Sequence, residues 1–179
     1  KWYVNNNLTG FKDHFGWKFN ILGINNIKVV ISDGQLTNEI NWAATVVDNI
    51  DTSDFDGETT DLFNSGVNNI NNFILEKSRF GKILFLDQVS LEQNKDLKNN
   101  VMINNNIVGI NSVNIPELNK KARITLFHQS YANAPSIFMS NLFTNNPDQI
   151  NQFCNDCKLI RYTPGPTNDG EVVFEVNGF

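Results

Sequence analysis

Hydrophobic and polar residues alternate along the first quarter of the chain with the period of two that a half-buried strand requires. Trp17, Phe19 and Ile21 share one face. Ile27, Val29 and Ile31 follow across Lys28 and Val30, and Trp42, Ala44 and Val46 oppose Ala43, Thr45 and Val47. Ser32-Asp33-Gly34, between the second and third runs, is a tight-turn signal, so residues 1–48 read as a β-meander. The pattern breaks at residues 48–61, where acidic, small and polar residues take over and a domain boundary is expected. Residues 49–61 are accordingly read as an acidic linker and residues 62–179 as a second domain.

Beyond Phe63, strand-length apolar stretches recur: Phe73–Leu75, Ile83–Leu86, Val101–Ile103, Ile107-Val108, Ile124–Phe127 and Val172–Phe174. Asn, Gly, Asp or Pro separates them, which predicts a second all-β domain. Two segments suggest helix. Pro147 to Phe153 follows Asn146 as an N-cap, and Ser90 to Asn99 has room for a turn or two. A sandwich is the expected form of this domain. A short β-helix stays open, because Asn-rich turns near residues 99–100, 104–106 and 111 recur closely enough to stack.

Composition narrows the classes. With 40% hydrophobic and 18% charged residues the chain has material for a core. A net charge of −5, with no basic run longer than Lys120-Lys121, argues against a nucleic-acid partner. No apolar run reaches the roughly 18–20 residues of a membrane-spanning helix, so no membrane insertion is expected within this chain. Asn is by far the commonest residue, and clusters such as Asn5-Asn6-Asn7 and Asn104-Asn105-Asn106 read as turns, since Asn tolerates left-handed backbone. An AT-rich genome accounts for the same abundance, turn chemistry then deciding only where Asn is tolerated.

Lys1-Trp2-Tyr3-Val4, Ile27 to Gly34 and Trp42 to Val47 together resemble the second half of an immunoglobulin-like repeat of prokaryotic, especially archaeal, surface proteins. The resemblance implies a β-sandwich with Trp2 as its buried tryptophan, opening at its third strand and therefore incomplete at the N-terminus. Phe55 to Asp61, Leu75-Glu76-Lys77, Gly81-Lys82-Ile83, Leu118 to Leu126, Cys154-x-x-Cys157 and Phe174 to Phe179 are similar to a module of multi-domain archaeal surface proteins, including those of small-genome lineages. That second resemblance implies an extracellular, cell-surface setting within a larger polypeptide, and it brings no catalytic residues. It implies a structural or adhesive role in a surface layer, adhesin or filament, through strand and domain contacts with other copies or domains of the same protein.

In such a setting Cys154 and Cys157 read as a short-range disulfide that pins a turn. Zinc would need two further ligands, and only His14 and His128 remain. A thioredoxin-like pair would need a β-α-β context that the pattern lacks. No Gly-x-Ser-x-Gly elbow and no Gly-rich loop before a helix is present, so no enzyme is expected. Asp48, Asp51, Asp54, Asp56, Glu58 and Asp61 form an acidic cluster that suits calcium; a solvated, self-repelling linker is the alternative. Asn7-Leu8-Thr9 is an N-glycosylation sequon on Asn7. The rival function is a carbohydrate-binding module that recognises glycan through exposed aromatics, with Tyr3, Phe11, Phe15, Tyr131, Phe138 and Phe143 as candidates.

Overall fold

The computed structural model describes residues 1–19, 23–46, 50–91, 95–165 and 170–179. It is all-β, built from several antiparallel sheets, none of them closed into a barrel. Two compact units divide it, Lys1–Asp48 and Asn49–Phe179.

The first unit is a four-stranded sheet of β1 (Trp2–Val4), β2 (Asn7–Gly10), β3 (Gly23–Ser32) and β4 (Thr37–Val46), in the order β2-β1-β3-β4. Asn5 and Asn6 join β1 to β2 with φ of 49° and 66°. Two consecutive left-handed residues give a turn whose twist matches the strands it connects, and Asn reaches that conformation at lower cost than other residues with a Cβ. Asn5 also donates to Asn25 Oδ1 and accepts from the Asn26 amide, each at 2.9 Å, so its side chain ties the turn to β3 and gives buried Asn25 a partner. At the β3–β4 turn Asp33 Oδ1 accepts from the amides of Gln35 and Leu36, which holds its carboxyl below the usual range.

Trp17 and Phe19 are not in a strand; Ile21 lies outside the described residues. The segment after β2 instead brings Phe15 and Trp17 into a row of rings with Trp2 and Trp42, and the Trp2 indole donates to the Lys12 carbonyl at 2.9 Å. At Trp17 the apolar residue therefore reflects ring packing outside any ladder. Trp2 is half-buried rather than enclosed, because no second sheet lies over it among the described residues of this unit.

The second unit centres on a five-stranded antiparallel sheet, ordered β12-β13-β9-β6-β5. Its strands are β5 (Ile74–Lys77), β6 (Gly81–Phe85), β9 (Ala122–Gln129), β12 (Lys158–Thr163) and β13 (Gly170–Val176). A hairpin of β7 (Val101–Asn104) and β8 (Ile107–Ile110) and a two-residue pair, β10 (Phe138–Met139) with β11 (Gln152–Phe153), complete it. This order is that of a twisted open sheet, not of a stacked coil. Leu75, Ile83, Ile124 and Phe174 lie opposite one another across β5, β6, β9 and β13, and all four are buried. The other face is mixed: Ile74, Leu84 and Val173 share it with Arg123 and Glu175, and Arg123 and Lys121 both pair with Glu175. Arg123, the nearer at 2.7 Å, is the main cause of the Glu175 carboxyl lying below its usual range.

Helix is scarce: α1 (Leu62–Ser65), capped by Asp61, and α2 (Leu97–Asn100), capped by Asp96. The helix expected at residues 147–153 is a single 3₁₀ turn, Pro147–Gln149. Asn146 does cap it, but Gln152 and Phe153 pair with Met139 and Phe138 and so end it.

Candidate functional site

The acidic segment does not hang between the units as a linker. It runs along the outer edge of β5 and satisfies that strand's backbone. The Asp56 amide donates to the Glu76 carbonyl at 2.8 Å and the Thr60 amide to the Ile74 carbonyl at 3.0 Å. Thr59 and Thr60 hydroxyls accept from the Glu76 and Ile74 amides, each at 2.9 Å. Gly57, with φ of 55°, lets the chain pass over the buried Glu76, whose carboxylate any added Cβ would overlap. An open strand edge invites foreign pairing, and here a loop covers it.

Three of the acidic side chains serve the same task, and two have other partners. Asp54 pairs with Lys77 at 2.7 Å, and that hydrogen bond lowers its carboxyl's pKa. Asp56 accepts from the Ser78 amide and hydroxyl, again with a lowered pKa. Glu58 meets Lys82 at 2.6 Å. Asp61 caps α1, and Asp51, its carboxyl lowered by Ser53, accepts from the Ser53 amide. Asp48 lies outside the described residues. Each of the described acidic side chains has a partner of its own, and no three metal-ligating side chains gather among the described residues.

Cys154 and Cys157 are joined as a disulfide at the turn between β11 and β12. Cys154 is buried, and its amide donates to the Ile137 carbonyl at 3.0 Å. Asn7 is exposed at the start of β2, while the Thr9 hydroxyl of its sequon donates to the Trp2 carbonyl at 3.1 Å.

Three of the sheet edges are treated differently. That of β5 is covered. That of β12 is short, carries Lys158 and Arg161, and has a register shift between Leu159 and Arg161, all of which discourage pairing. β4 has none of these. Its ten residues pair one-to-one with β3 without a shift, and its outer side is unpaired among the described residues. Glu39 is its one charged residue. Ile40, Trp42, Ala44 and Val46 occupy one face of it, with Ile27, Val29 and Ile31 beside them on β3. Trp42 is 46% exposed and Ile31 62%. Across this face runs the row Trp42, Trp2, Phe15 and Trp17, near-parallel rings with successive centroids 6.1, 4.9 and 6.2 Å apart.

A second candidate is a cleft of about 700 Å³ in the larger unit, between β8, the sheet and the segment 131–157. Tyr131, Phe138 and Phe143 line it, as do both cysteines. Phe143 lies over Gly109 of β8, where a Cβ would come within 3.6 Å of its ring. The chain matches no family model, no curated protein and no solved structure.

Of the six aromatics considered from sequence, the structure brings Tyr131, Phe138 and Phe143 to one place and puts Phe15 in the row on the smaller sheet. Tyr3 sits on that sheet's other face beneath Lys28, and Phe11 is exposed. The β4 edge was missed as a site, although its signal is legible: ten residues with one charge and no Pro or Gly.

Proposed function

We propose that this protein is a non-enzymatic structural or adhesive module of an extracellular surface protein or surface filament, assembling through strand addition and domain contacts. The observation that carries the reading is the unguarded β4 edge in a chain that covers one of its other edges and blunts another. A strand added to β4 from another copy, or from another domain of the same protein, satisfies its free backbone groups and extends the sheet. The incoming strand also brings apolar side chains beside Ile40 and Trp42. At about 25 cal/mol per Å² of apolar surface buried, covering a few hundred square ångströms contributes several kcal/mol toward the cost of association. No catalytic residue is assigned.

Sedimentation velocity of the full chain over a wide concentration range tests this. Reversible association is expected for the wild type and for Leu159→Lys on β12, and its loss for the double variant Ile40→Lys, Trp42→Lys. A wild-type chain that stays monomeric throughout, or a double variant that associates equally well, would refute the reading.

A further inference from the structure

The cleft of the larger unit has a chemistry of its own, independent of the β4 edge. Its apolar floor is closed: Ile124, Leu126, Val172 and Phe174 pack on one another and keep less than a tenth of their surface. A ligand therefore meets the rim. There the rings of Tyr131, Phe138 and Phe143 stay 40%, 52% and 42% exposed. The same lining carries the amides of Asn106, Asn141 and Asn177, all exposed. The described lining contains no Lys, Arg or His and a single carboxylate, Asp156.

This combination selects by exclusion. An anionic ligand finds no cation, and burying a phosphate or carboxylate beside Asp156 is unfavourable. A long acyl chain needs a dry, enclosed channel, whereas the floor is filled and the rim, although it carries exposed Leu142 and Met139, is broken by amides. A pyranose ring suits both parts. Its C–H face is apolar and packs on the electron-rich face of an aromatic ring, while its hydroxyls exchange hydrogen bonds with amide and carboxylate groups. The volume lies within the range of about 300–1,000 Å³ typical of small-ligand sites. The segment that bears the rings is anchored at both ends. Tyr162 donates its hydroxyl to the Tyr131 carbonyl, and the Cys154 amide holds the Ile137 carbonyl beside the disulfide. Rings on a tethered segment lose less freedom on binding than rings on a free one.

We infer that this cleft binds a neutral oligosaccharide, with Tyr131, Phe138 and Phe143 as stacking platforms and Asn106, Asn141, Asn177 and Asp156 as hydrogen-bonding partners. The test uses the full chain on a panel of neutral oligomers of glucose, mannose, galactose and N-acetylglucosamine, alongside sialylated and sulfated glycans and a neutral monoacylglycerol, with calorimetry on the best binder. Binding is expected to a neutral oligomer, unchanged when salt rises from about 0.05 to about 0.5 M, since no ion pair is involved. Tyr131→Ala and Phe138→Ala should each weaken it about two- to twelvefold, the loss of one aromatic contact. Tyr131→Ala should leave the melting temperature in place, whereas Phe138→Ala, which also removes an edge contact with Phe153, should lower it slightly. Phe11→Ala, on the smaller unit, should leave binding unchanged. Absence of binding to every neutral oligomer, binding only to the charged glycans or the acylglycerol, or undiminished binding by the Tyr131→Ala, Phe138→Ala double variant would overturn the inference. None of these outcomes depends on association through β4, which the β4 double variant reports separately.

Discussion

At Gly57, φ of 55° and the Glu76 carboxylate beneath leave no room for a side chain. Gly57→Ala should therefore push the covering segment off β5, at a cost above about 1 kcal/mol in urea denaturation, because it combines a left-handed backbone with a clash. Asn6 makes a gentler case. Its φ of 66° suits Gly or Asn, so Asn6→Gly should be near neutral and Asn6→Val should destabilise the β1–β2 turn. The disulfide closes so short a loop that chain entropy assigns it about 2 kcal/mol at most. Cys154→Ser with Cys157→Ser should lower the unfolding free energy by no more than that, and dithiothreitol should reproduce the shift in the wild type while leaving the variant unmoved.

Among the elements, β5 depends on its cover. Asp54 and Asp56 have folded-state pKa values below the ordinary 3.8, held there by Lys77 and by the Ser78 amide respectively. A carboxyl depressed on folding stabilises the fold above its ordinary value, and that contribution is lost as pH falls through the folded value. The larger unit should thus lose thermal stability between about pH 5 and about pH 2, and Asp54→Asn with Asp56→Asn should flatten the decline. In the same variant, amide exchange should rise at Glu76 and Ser78, which the cover protects. Strands β5 to β9 and β13 were legible because β-branched and aromatic runs stand between turn residues. The edge cover was not. Clustered acidic residues look alike in sequence, whether they hold a cation, repel one another, or, like Asp51, Asp54, Asp56, Glu58 and Asp61, are each tied to a partner of their own.

For the molecule as a whole, the two units differ in how much core they own. The larger buries the rows around Leu75, Ile83, Ile124 and Phe174, and residues 49–179 should fold alone with the acid dependence just described. In the smaller unit Val4 and Val29 are the hydrophobic residues buried among those described. So small a core gives little stability by itself, and whatever binds the folded form then raises its melting temperature. The transition of the smaller unit should accordingly climb with protein concentration, as read by tryptophan fluorescence, since Trp2, Trp17 and Trp42 all lie there. In the Ile40→Lys, Trp42→Lys variant that climb should disappear.

Local chemistry was within reach of the sequence alone. Period-two alternation determined β3 and β4, Asp33 and Gly34 their turn, and the Asn pairs the places where the backbone turns left-handed. All of these are set by residues within a few positions of one another. Tertiary structure decided the rest, because each outcome depends on residues distant in sequence. Trp17 leaves the strand pattern to stack on Phe15, which in turn stacks on Trp2, the acidic segment finds the edge of β5, and Tyr131, Phe138 and Phe143 converge where β8 and the disulfide-tied segment meet. Alternation records that a residue is apolar on one side; which surface covers that side is a matter of long-range packing, and a single sequence carries no local mark of it.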